Sequence, residues 1–111
     1  MFFIQYNFDD SDIETCLFAL TKLPLLHKDS EISELQIATN EQCCISVSKK
    51  LSNRHIEKIT ANELRVLCCC ITFCNLICQG TISTDFETYQ SCAKHKSILD
   101  KLDNELSSQI F

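Results

Sequence analysis

Residues 35–48 read Leu35-Gln36-Ile37-Ala38-Thr39-Asn40-Glu41-Gln42-Cys43-Cys44-Ile45-Ser46-Val47-Ser48, and they decide whether the chain carries a sheet. Leu35 and Ile37 alternate with Gln36 and Ala38. Cys43, Ile45 and Val47 alternate with Cys44, Ser46 and Ser48, and Asn40-Glu41-Gln42 is a polar turn between the two runs. This period of two predicts a hairpin of two strands. The rival is one helix through 31–51, because Glu, Gln and Leu are good helix formers.

Upstream, Phe2, Ile4, Tyr6 and Phe8 alternate with Phe3, Gln5 and Asn7, which predicts an N-terminal strand. Ser11-x-x-Glu14 then predicts a capped helix with Ile13, Cys16, Leu17, Leu20 and Leu23 as its apolar stripe, stopped at Pro24. Downstream, residues 52–58 fit a short helical turn. Thr60-x-x-Glu63 is a capping box, and Gly80, the only glycine, is a terminator. Together they bracket a helix over 61–79 that is apolar on most of its circumference. On it Cys70, Cys74 and Cys78 fall on the core side. Cys68, with Arg65, Thr72, Asn75 and Gln79, falls on the polar side and is expected to be the exposed thiol. Thr84-x-x-Glu87 predicts a last long helix to about residue 107, its stripe running from Phe86 to Ile110, antiparallel to the central one.

The expected fold is therefore α+β. A small antiparallel sheet of about three strands packs on a helical layer, with a buried Cys-rich central helix and a long C-terminal helix. An all-α bundle is the alternative if 31–51 is helical. At 111 residues and 45% hydrophobic, the chain is the size of a single compact domain, 1–111, with one core.

Function is less legible. One glycine excludes glycine-rich phosphate loops. Nine cysteines, an odd number with three in succession, argue against a disulfide framework and for a reducing, cytoplasmic setting. The apolar run 66–78 is short for a bilayer, so no membrane is expected. Cys92-x-x-His95 could offer two metal ligands and Cys43-Cys44 a third, but no Cys-x-x-Cys pair exists and buried cysteine is an ordinary core residue. No metal or cofactor is expected. No local pattern ties His27, His55 or His95 to a thiol.

Charge is uneven. Residues 1–41 carry eight acids against two lysines, net −6, and residues 42–111 seven acids against eight bases, net +1. An acidic chain disfavours nucleic acid. The acidic group Asp9, Asp10, Asp12 and Glu14 and the basic group Lys49, Lys50 and Arg54 are the candidate partner-binding residues. The expected function is a small non-enzymatic protein-interaction module, of the inhibitor, immunity or adaptor kind, that occupies the surface of another protein. A homodimer stays open. The alternatives are a thiol-dependent redox or metal-binding protein using Cys92, His95, Cys43, Cys44 and Cys68, and a nucleic-acid-associated regulator using residues 49–58.

Overall fold

The computed structural model describes residues 3–28 and 30–109. Phe2 of the expected strand, Asp29 of the acidic half and Ile110 of the last stripe lie outside them. Among the described residues six α-helices follow one another: α1 (Asp10–Leu20), α2 (Leu23–His27), α3 (Glu34–Ser52), α4 (Ala61–Cys78), α5 (Phe86–Ala93) and α6 (Lys96–Ser107). A 3-10 turn, Ile56–Lys58, joins α3 to α4. There is no strand among the described residues, so the α+β expectation is overturned and the all-α alternative holds.

The expected hairpin is the single helix α3. Ser33 caps it, its Oγ accepting from the Gln36 amide at 3.1 Å, and Gln36 donates one turn on to Asn40 Oδ1 at 2.8 Å. The alternation of Ile45 and Val47 was coincidental. In a strand both would share a face, but here Val47 is fully buried and Ile45 is half exposed. The face that α3 packs runs Asn40, Cys44, Val47, Leu51, a helical spacing. The helix ends with Arg54 at φ +58°, where the Arg54 and His55 amides bond back to Leu51 and Lys50 carbonyls. That is a Schellman cap made without glycine.

Residues 3–9 do alternate as read, with Ile4, Tyr6 and Phe8 half-buried and Phe3, Gln5 and Asn7 exposed. They pair with no strand, and the half-buried side chains lie on the helical core. Period two marks an extended backbone on an apolar surface, and it does not by itself require a ladder.

The central helix stands as read. Thr60 and Glu63 form the capping box, and Gly80 at φ +79° lets the Gly80 and Thr81 amides close the C-terminus on Ile77 and Leu76. α4 is the hub: Leu64, Leu67, Cys70, Ile71 and Cys74 are fully buried among α1, α3, α5 and α6. Its 18 residues are long and apolar enough to cross a membrane by length and composition alone, more than the run 66–78 suggested, and 61% of them are buried inside the protein.

Three boundaries shift. Asp9 and Asp12, not Ser11 and Glu14, form the α1 capping box. Pro24 does not stop α1 but sits in the first turn of α2, where its missing amide hydrogen costs nothing. The last long helix is broken in two at Lys94–His95, and Asp85 rather than Thr84 caps its first half. At α1 and α5 an aspartate takes the place of the expected hydroxyl, and its negative charge also suits the helix N-terminus.

Candidate functional site: an apolar cleft along α4

The two charge groups read from the sequence lie largely against groups of this chain. Asp9 caps α1, its Oδ1 accepting from the Asp12 amide at 2.8 Å. Asp12 is buried. It accepts from Tyr6 Oη at 2.9 Å and from the Asp9 amide at 3.1 Å, with Lys101 Nζ 2.8 Å from its other oxygen. Burial pushes this carboxyl up, but Lys101, the Asp9 amide and Tyr6 outweigh it and hold the carboxyl below its ordinary value. Asp10 pairs with Arg54. Lys50 donates to Glu63 Oε1 at 2.7 Å and to the Lys58 carbonyl at 2.8 Å. Glu14 and Lys49 are exposed and have no charged partner among the described residues. The acidic group and the basic group are thus brought together, at Asp10–Arg54.

The cysteines do not converge on a site. Among the described residues no three of His, Cys, Asp and Glu could hold a metal ion. Cys92 is fully buried, while His95 stacks on Phe18 with ring centres 4.5 Å apart and its Nδ1 lies 3.3 Å from Thr15 Oγ1. Cys68 is buried, and Cys69 is the exposed thiol of α4. The reason is α6: Asp103 accepts from Thr72 Oγ1 at 2.6 Å and from Asn75 Nδ2 at 3.2 Å, which covers the polar side of α4. Burial pushes the Cys68 and Cys70 thiols up to about 12, and raises Cys69 as well.

Covering that side leaves a different stripe of α4 open. Arg65, Cys69, Phe73 and Leu76 recur every three or four residues along it, exposed or half-buried. Two contiguous recesses of about 470 and 520 Å³ lie over this stripe and share Leu26, Arg65 and Cys69. The first reaches under α3 to Ile32, Asn40 and Cys43. The second runs past Phe73 and Leu76 to Ser107 at the end of α6. No carboxylate lines either recess among the described residues, and the one charged side chain is Arg65, whose guanidinium donates to Asn62 Oδ1 at 3.4 Å.

Sequence reasoning missed this cleft. Its α4 stripe is present in the helical spacing, with Arg65 on the side read as polar, but only the packing of α6 tells which side of an apolar helix is left uncovered. The chain matches no protein-family model, and no curated protein or solved structure shows significant similarity to it.

Proposed function

We propose that the protein is a small non-enzymatic interaction module that binds a partner protein by taking one of the partner's segments into the α4 cleft. The observation that carries this reading is the cleft itself, an open, mostly apolar surface lined among the described residues by one guanidinium and no carboxylate, on a chain of net charge −5. Concave apolar surfaces with few polar groups are the usual places for ligands and partner segments. The non-enzymatic part rests on the nucleophiles. Burial pushes the α4 thiols up, away from the reactive thiolate, and His27 and His95 contact Asn40 and Thr15 rather than a thiol.

The test is site-specific photo-crosslinking in the cells that make the protein, with the photoreactive residue at position 69 in the cleft or at position 90 on exposed α5. A discrete protein adduct from position 69 and none from position 90 is the expected result. Equal adducts from both, or none from 69, would sink the reading.

A further inference from the structure

We infer that the segment the α4 cleft receives is an acidic amphipathic helix, with apolar residues on either side of a carboxylate that pairs with Arg65. This deepens the cleft-binding reading and rests on it.

The shape argues for a helix. From Asn62 to Leu76 the open stripe spans 14 steps of α4, about 21 Å at 1.5 Å per residue, straight along the helix axis. The cleft is walled by α2 and α3 on one flank, reaches the end of α6 at Ser107, and is open above. The described residues form no sheet, so they offer no edge for a strand to join. A helix satisfies its own backbone and presents a matching apolar ridge.

The charge argues for an acid. Arg65 lines both recesses, with Leu23 and Ile32 in the first and Phe73 and Leu76 in the second. The carboxylate next to this stripe, Asp103, is engaged by Thr72 and Asn75. An apolar segment with a lysine at its centre would set two cations together in a partly desolvated groove. A segment with a central Asp or Glu supplies the bidentate partner that a guanidinium fits. The long-range field of a net −5 chain works the other way, against an acidic ligand. A preference for acid therefore reports the local pair and not the global charge.

The experiment titrates the full chain with three fluorescein-labelled helical peptides of about 15 residues. They share one leucine seam and differ only in two central residues beside it: Glu, Gln or Lys. Fluorescence anisotropy should show the Glu peptide binding about tenfold more tightly than the Lys peptide. Arg65 is exposed, so R65Q and R65E should keep the fold, checked by thermal melts. R65Q should erase the preference and R65E should invert it. A wild-type preference for Lys, a ratio that R65E does not move, or no binding of any peptide at millimolar concentration would overturn the inference. So would Arg65-dependent binding of myristate without binding of the peptides, which would assign the cleft to a lipid. If the peptides fail while position 69 still crosslinks to a protein, only the acidic-helix inference falls. If position 69 fails too, the cleft reading itself falls.

Discussion

Asp12 ties three parts of the molecule together: the extended N-terminal segment through Tyr6, the α1 cap through the Asp9 amide, and α6 through Lys101. Removing it strands the half-buried Tyr6 hydroxyl and the Asp9 amide at the N-cap, and leaves Lys101 without its carboxylate. Asp12→Ala should cost about 3 kcal/mol, within the range for breaking a buried, hydrogen-bonded charge, measured by urea unfolding at neutral pH. A loss below about 1 kcal/mol would mean that water replaces the carboxylate without penalty. The sign with pH follows from the lowered carboxyls of Asp12 and Glu63. Each contributes stability that is present above its unfolded-state value, about 4, and is lost as pH falls through the lower folded value. Acid unfolding should therefore steepen below about pH 4, and Asp12→Asn should flatten that limb. Unchanged acid limbs in the variant would show that the carboxyl is not held down. Gly80 sits at φ +79° with open space around its missing Cβ. Gly80→Ala should then cost about 1 kcal/mol, from backbone conformation alone. A much larger loss in the same urea assay would reveal a steric contact instead.

At the scale of the element, α3 is unevenly packed. Towards its C-terminus Val47 and Leu51 are fully buried, while at its N-terminus Leu35 is 79% exposed and Ile37 is half-buried. Recesses flank this half on both sides, one against Leu20 and Pro24, the other against Leu26 and Val66. Few buried contacts mean a low local opening free energy. Hydrogen exchange should show amides 38–43 exchanging well before amides 47–51, and a helix ligand in the α4 cleft should slow the first set. Uniform protection along α3 would contradict this packing. The helices were unequally legible. α4 announced itself because its capping residues, its apolar run and its glycine all agree. α3 did not, because Cys, Ile, Val and Ser suit a strand as well as a helix, and the helical spacing of Asn40, Cys44, Val47 and Leu51 hides a polar residue in its packed face. The non-glycine C-cap at Arg54 gave no signal in the sequence at all.

At the scale of the whole molecule, three ion pairs among the described residues each join different parts of the chain: Asp10 to Arg54, Asp12 to Lys101, and Lys50 to Glu63. Two of them, at Asp10 and Asp12, tie the acidic first part of the chain to cations of the rest. The Asp10–Arg54 pair is well exposed on both sides and should be worth little. Asp10→Asn is expected to change stability by less than about 0.5 kcal/mol, against the several-fold larger effect at Asp12. Equal losses in urea unfolding would mean that the surface pair, and not burial, governs this end of the fold.

Local chemistry was enough to determine the capped central helix, its buried Cys70, Cys74 and Cys78, the terminating Gly80, the short turn before α4 and the absence of a phosphate loop. Each depends on residues within a few positions of one another. Only the tertiary structure decided that 35–48 is helical, that the N-terminal alternation has no partner strand, and that Cys69 rather than Cys68 faces out. Those outcomes depend on which neighbour covers which face. For an apolar helix such as α4, that choice is made by α6 and its Asp103, about thirty residues away in the chain.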